Sequence, residues 1–211
     1  MPAQFLSQRR FRREAGSEVT KIGIIAFQGD VSEHIKAMER ALENKGSVVP
    51  VRHVSAILEC DGLVLPGGES TAISKQLDSS GMREAILAAS KSGMPILATC
   101  AGLVLVSKKI EGDSRVSPLG LMDIKIGRNA FGPQKESFEA DLEIKGFDKP
   151  YHAVFIRAPA IVDAGKDVDV LAYCDKFIVA ARQKNMICLA FHPELVDDMR
   201  FHKMFLKIVE A

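Results

Sequence analysis

No tryptophan occurs in these 211 residues, and the 28 lysines and arginines nearly cancel the 27 aspartates and glutamates. A formal net charge of +1 leaves no basic footprint for nucleic acid. No apolar run approaches the roughly 20 residues that a membrane-spanning helix needs. The four cysteines, at 60, 100, 174 and 188, show no C-x-x-C spacing. That argues against a cysteine zinc site and against a disulfide scaffold, and leads us to expect a reduced, cytoplasmic protein. The paired glycines of Pro66-Gly67-Gly68-Glu69-Ser70-Thr71 are not followed by Gly-Lys-Ser/Thr, so the turn is not a P-loop and nucleotide binding is not expected. Internal repeats and low-complexity segments are also missing. The arginine-rich start, Gln8-Arg9-Arg10-Phe11-Arg12-Arg13, has no apolar segment after it, which excludes a secretory signal. Residues 1–20 are expected to be a basic extension, disordered or a start-site artefact, ahead of one domain at 21–211.

What remains is an alternation of strand and helix. Lys21-Ile22-Gly23-Ile24-Ile25-Ala26-Phe27 reads as a first strand, with a helix capped by Ser32 and running to about Asn44. Ile35, Met38, Ala41 and Leu42 mark its apolar face. Strands follow at 47–51, 61–65 and 95–99, with helices over 70–78 and 82–91. Beyond Leu119 the pattern changes to short strands, at 121–126, 137–144, 152–156, 168–173, 177–182 and 186–191. A closing amphipathic helix spans 197–210, with Met199, Phe201, Met204, Phe205 and Ile208 on its apolar side. This order predicts a three-layer, doubly wound mixed α/β sheet, with a mostly parallel core and added antiparallel strands. Ligands in such sheets bind at the carboxyl ends of the strands, where Gln28, Gly67-Gly68 and Cys100 all fall.

The stretch Met94-Pro95-Ile96-Leu97-Ala98-Thr99-Cys100-Ala101-Gly102-Leu103 carries the most chemistry. An apolar strand runs into an apolar helix ending in Lys108-Lys109, and Cys100 stands at the turn between small residues, Ala98 and Gly102. That is the layout of a nucleophile elbow, with helix N–H groups pointing toward the sulfur. A buried core cysteine is the alternative, and Cys60, Cys174 and Cys188, in apolar strand-like runs, read that way. A nucleophile needs a base. His192-Pro193-Glu194 follows the last core strand, and in extended backbone residues two apart project from one face. A carboxylate there could orient one ring nitrogen and leave the other for the thiol. A surface histidine beside a capping glutamate is the plainer reading. The Gly67-Gly68 turn is either a tight turn with Ser70 as a helix cap or a place where a peptide N–H turns toward an oxyanion. Arg128 and Arg157 lie among apolar or small residues and need an anionic partner, either a substrate carboxylate or an internal acid. His34, His53, His152 and His202 read mostly as solvated or structural, with His34, behind Glu33, a candidate to cap or orient the first loop.

Taken together, F-Q-G-D-V-S-E-H at 27–34, L-P-G-G-E-S-T at 65–71, T-C-A-G-L at 99–103, R-N-A-F-G-P-Q at 128–134, F-I-R-A-P at 155–159 and F-H-P-E-L at 191–195 resemble the glutaminase subunits of pyridoxal 5′-phosphate synthase. These are class I, triad-type glutamine amidotransferases with a flavodoxin-like fold, and the resemblance covers nearly all of 21–211. It implies Cys100 as nucleophile, His192 as base and Glu194 as orienting carboxylate. It further implies Gly68, Glu69 and Ser70 in contact with L-glutamine, and Gly68 and Ala101 amides as oxyanion donors. Arg128, Ile156 and Arg157 would hold the amino-acid end of the substrate, and Gln28 would face the partner. That partner is a synthase with a (β/α)₈ (TIM) barrel that receives ammonia in a hetero-oligomer. No metal and no bound cofactor are implied for this chain. Two departures stand out: Ala98 replaces the usual glycine, and residues 1–20 have no counterpart.

Overall fold

The computed structural model describes residues 19–128, 130–132 and 137–211. The proposed extension up to residue 18, with Asn129, Pro133 and Gln134 of the 128–134 motif, lies outside the described residues. The strands are β1 (Thr20–Ile25), β2 (Gly46–Val51), β3 (Gly62–Leu65), β4 (Ile96–Thr99), β5 (Ser107–Ile110) and β6 (Met122–Gly127). They continue with β7 (Ser137–Leu142), β8 (Tyr151–Ile156), β9 (Ala160–Ala164), β10 (Asp169–Cys174), β11 (Phe177–Gln183) and β12 (Met186–Leu189). The helices are α1 (Val31–Leu42), α2 (Val54–Ile57), α3 (Ser70–Ser79), α4 (Met82–Lys91), α5 (Ala101–Val106) and α6 (Arg200–Glu210).

The ten-stranded sheet runs β2-β1-β3-β4-β12-β11-β9-β6-β5, with β10 paired to β11. Its first five strands are mutually parallel. β11 and β9 run antiparallel to their neighbours. β7 and β8 form a separate antiparallel pair. The expected mixed α/β architecture is present. β3, β4 and β12 are buried at every position, which is why they read as unbroken apolar runs rather than alternating ones. The helices pack in groups, α1 against α6 and α3 against both α4 and α5. The edge-to-face contact of Phe155 on Phe191, centroids 5.5 Å apart, fastens the end of β8 to the segment after β12.

Four expectations are corrected. Lys108 and Lys109 belong to edge strand β5 rather than to a helix end, and Lys108 pairs with Asp123 on neighbouring β6 at 2.7 Å. A helical last turn and a charged edge strand carry the same residue types, so only the pairing decides. Helix α1 starts at Val31 with Asp30 at the capping position, and the Ser32 hydroxyl bonds to Glu33 instead. Helix α3 is capped by Glu69, which accepts from the amides of Thr71 (2.9 Å) and Ala72 (2.7 Å), and not by Ser70. Residues 193–195 form a 3₁₀ turn. Helix α6 begins at Arg200 rather than 197, and the Asp198 carboxylate accepts from the Arg200 amide at 3.0 Å at that start. Strand β9 and the short α2 went unread. Pro159 stands directly before β9 and interrupts the pattern there.

His202 on α6 is fully buried, and neither ring nitrogen has a hydrogen-bond partner among the described residues. Burial first, then the charges of His34 and Arg40, pull its pKa from 6.5 down to about 3, with Asp198 opposing. The unfolded chain therefore takes a proton near pH 6.5 that the folded chain refuses until about 3. Stability from this group is complete above pH 6.5 and falls as pH drops through that window, by about 1.4 kcal/mol per unit. His202→Leu is expected to remove about 2 kcal/mol of the stability loss between pH 7 and pH 5, as measured by denaturant unfolding at the two pH values.

Candidate active site

β1, β3, β4 and β12 are adjacent and parallel, so their carboxyl ends share one edge. The segments leaving those ends carry Gln28, Gly67-Gly68, Cys100 and His192. One cleft of about 520 Å³ opens there, lined by Gln28, Gly29, Asp30, Gly68, Glu69, Ser70, Cys100, Ala101, Arg128, Ile156, Arg157 and His192, among others. Every site residue expected from the sequence lines it except Glu194, which lies behind His192.

Cys100 is almost buried, at 8% exposure. Its amide donates to the Leu189 carbonyl at 2.9 Å, which fixes the turn to the end of β12. Its φ of 47° is unusual for a residue with a Cβ, and Arg157 across the cleft has φ 44°. Such conformations cost on the order of 1–3 kcal/mol each and persist where the surroundings over-determine them. The Cys100 sulfur lies 3.9 Å from the Ile156 carbonyl oxygen, which accepts from it.

The His192 amide is anchored to the Val154 carbonyl of β8 at 2.9 Å. Its Nδ1 meets Glu194 Oε1 at 2.7 Å. The two side chains converge through the 3₁₀ turn, not through the extended backbone expected from their spacing. The second oxygen, Glu194 Oε2, lies 3.3 Å from His34 Nε2, which is itself 3.0 Å from Thr99 Oγ1. Asp30 supplies a second carboxylate, with Oδ2 3.4 Å from His192 Nδ1. That orientation explains why Asp30 does not cap α1. Burial works against a charged His192 ring, but hydrogen bonding to Asp30, Cys100 and Glu194 outweighs it and raises the pKa. Cys100 contributes to that balance although His192 Nε2 makes no hydrogen bond of normal geometry, leaving it available to a group in the cleft. The hydrogen bond to His192 in turn lowers the pKa of Asp30.

Among the described residues, Asp30, His192 and Glu194 are the one set of side chains placed to hold a metal ion, their ligand atoms lying within 4.8 Å of one another. A cation there would compete for Nδ1 with the ring's own proton.

Gly67 and Gly68 sit against the first loop. A Cβ on Gly67 would stand 2.6 Å from Asp30 Oδ2 and 2.7 Å from His192 Cε1, so only glycine leaves room for both groups. Gln28 Nε2 donates to the Glu69 carbonyl at 3.2 Å, linking that loop to the glycine turn. Arg128 has the internal partner: it pairs with Asp113 and lies 3.7 Å from Glu69 Oε1. The guanidinium of Arg115, then that of Arg128, hold the Asp113 carboxyl far below the usual carboxylate range. Arg157 is exposed and has no ion pair among the described residues. It can therefore meet an anion directly, whereas Arg128 would have to share one with Asp113.

Sequence reasoning missed Asp30 and Thr99, and placed His34 as a cap or orienting group for the first loop rather than beside Glu194. The spacing of Asp30 and His34, four apart at the start of a helix, puts both on one face and was the signal available.

The chain matches the SNO glutamine amidotransferase family over residues 24–211. It is 57% identical over 187 residues to a "Pyridoxal 5′-phosphate synthase subunit PdxT" of Methanothrix thermoacetophila, covering 89% of this chain and 98% of that protein. It is 50% identical over 199 residues to a protein of the same name from Archaeoglobus fulgidus, covering 90% and 99%. A crystal structure described as a glutamine amidotransferase superposes with a TM-score of 0.84 at 37% identity, covering 90% of this chain and 99% of that one. A glutamine amidotransferase from Thermotoga maritima, at 13% identity and a TM-score of 0.63, shares the fold.

Proposed function

The chain belongs to the SNO glutamine amidotransferase family, and from that membership we propose that it hydrolyses L-glutamine to L-glutamate and ammonia for a synthase that makes pyridoxal 5′-phosphate. The names of its relatives supply the pathway. The observation that carries the chemistry is one cleft in which Cys100 stands beside a histidine held at 2.7 Å by a buried carboxylate.

Cys100 attacks the side-chain carbonyl carbon of glutamine, forming a C–S bond, while His192 takes the thiol proton. The amides of Gly68 and Ala101 donate to the oxyanion. When the tetrahedral intermediate collapses, the C–N bond breaks, His192 returns its proton to the departing nitrogen, and ammonia leaves behind a thioester. Water, deprotonated by His192, then attacks the thioester, and glutamate departs as the Cys100 thiol is restored. Glu194 keeps the His192 ring oriented through both steps. Gly68, Glu69 and Ser70 contact the glutamine, and Arg128, Ile156 and Arg157 hold its amino-acid end. Every group the reaction needs is a side chain or an amide of this chain.

Ammonia loses its nucleophilicity once protonated by bulk water, so the reading includes a synthase subunit docked over the cleft as a hetero-oligomer. The acceptor is a TIM-barrel protein, Gln28 faces it, and the Gly67-Gly68 peptide is the element that docking switches. A reducing cytoplasmic setting, which keeps Cys100 free, belongs to the same reading.

Ammonia release from glutamine, measured with and without a pyridoxal 5′-phosphate synthase subunit, tests it. Stimulation of about tenfold or more is expected, from completion of the oxyanion site. Turnover indifferent to the synthase would remove the pathway but keep the hydrolysis, and no turnover in either state would overturn both.

A further inference from the structure

We infer that His34 is a positioning residue for this site, its Nε2–H lying against the second oxygen of Glu194 and, through its hydrogen bond to Thr99, tying that carboxylate to the strand that carries Cys100. The inference rests on the glutamine-hydrolysis reading above.

Glu194 Oε1 is taken by His192, while Oε2 is buried and makes no hydrogen bond of normal geometry, so the ring nitrogen lying against it is its polar neighbour. The side chains of Glu194 and His34 are both 0% exposed, and His34 Nε2 lies 3.3 Å from Oε2. A buried carboxylate oxygen facing a lone pair would be doubly unfavourable, so the ring carries its proton on Nε2. The other tautomer would also leave a buried Nδ1–H unpaired, since Nδ1 has no partner among the described residues. The same Nε2 makes its hydrogen bond of normal geometry with Thr99 Oγ1 at 3.0 Å, and Thr99 is the residue before Cys100. A single ring nitrogen thus bridges the end of β4, bearing the sulfur, and the turn after β12, bearing its base.

The groups around His34 favour the neutral ring that this role requires. Burial is the largest influence and lowers its pKa. The charge of Glu194 opposes burial, His192 reinforces it, and Asp30 and Glu33 oppose it. His202 on α6 interacts electrostatically with His34. A neutral donor orients Glu194 without neutralising the charge that His192 needs beside it.

The test uses the chain in complex with its synthase subunit, comparing His34→Gln, His34→Asn and His34→Leu with the unaltered protein. The amide nitrogen of glutamine can reach the position of Nε2, whereas that of asparagine is too short and leucine has no donor. Leaving the Glu194 oxygen unheld is expected to lower kcat by about 10- to 100-fold in His34→Leu and His34→Asn. The KM for glutamine should change by less than about threefold, because His34 does not line the cleft, and His34→Gln should recover most of kcat. A second readout needs no glutamine: the pH profile of Cys100 alkylation by iodoacetamide, which follows the Cys100–His192 pair. That profile should shift in His34→Leu and return toward normal in His34→Gln. If the unaltered complex does not hydrolyse glutamine, the proposed function fails, and the alkylation profile still tests His34. Unchanged kcat with a superimposable alkylation profile in folded His34→Leu would overturn the inference. So would equal losses in His34→Gln and His34→Leu, the result for a ring that serves packing alone.

Discussion

Cys100→Ala is expected to lower glutamine hydrolysis by a factor of about 10⁴ or more while leaving the fold intact. Among the described residues the sulfur makes one hydrogen bond of normal geometry, a weak one at 3.9 Å to the Ile156 carbonyl. It also interacts with His192, which keeps Glu194 and Asp30 as partners in the variant, so its removal leaves little unsatisfied. Alanine keeps the Cβ, and the φ of 47° at this turn is set by the surrounding strand and helix, so the strain is the same in both proteins. The expected change in unfolding free energy is therefore within about 1 kcal/mol. Ammonia release and a denaturant midpoint, measured on the same preparation, separate the chemical loss from a structural one. A variant equally inactive but largely unfolded would assign Cys100 to the core instead.

The second large effect is at Gly102. A Cβ built there lies 2.1 Å from the carbonyl oxygen of Leu65 and 2.9 Å from its carbon. Those are backbone atoms at the end of β3, a strand paired on both sides with β1 and β4, and they cannot turn away. Gly102→Ala must instead push the start of α5 off the sheet, carrying with it Cys100 and the Ala101 amide. A loss of about 3 kcal/mol or more of stability is expected. At a temperature where the variant remains folded, kcat should fall by about 100-fold or more, because a displacement near 1 Å misplaces both the sulfur and an oxyanion donor. Thermal unfolding and ammonia release check the two effects. Ala98, on the other side of Cys100, is fully buried in β4, in register with Leu65 of β3 and Cys188 of β12.

These positions also indicate which parts of the molecule a sequence can reveal. β1, β3, β4 and the apolar face of α1 were legible because buried parallel strands and an amphipathic helix leave local, periodic patterns. Cys100, His192 and Glu194 were legible because each lies in a short motif whose spacing reflects its own turn. Asp30, Thr99 and the place of His34 beside Glu194 were not. Their closeness to Glu194 and His192 follows from the strand order β1-β3-β4-β12, which brings residue 30 beside residue 192 and is set by tertiary pairing. The same limit hid the partner of Arg128, since Asp113 reaches it from the loop between β5 and β6. Lys108 and Lys109 were misread because one dimension does not distinguish a helix terminus from an edge strand, in which Lys108 pairs with Asp123 of the neighbouring β6.

The most direct test of the central claim is the identity of the atom that bonds to substrate. Incubating the chain and its synthase subunit with a glutamine analogue bearing a diazoketone in place of the side-chain amide, followed by peptide mass spectrometry, reads that atom. The account predicts one adduct per chain, on Cys100, prevented by excess glutamine and lost in Cys100→Ala. An adduct on Cys60, Cys174 or Cys188, or none on a complex that hydrolyses glutamine, would contradict it.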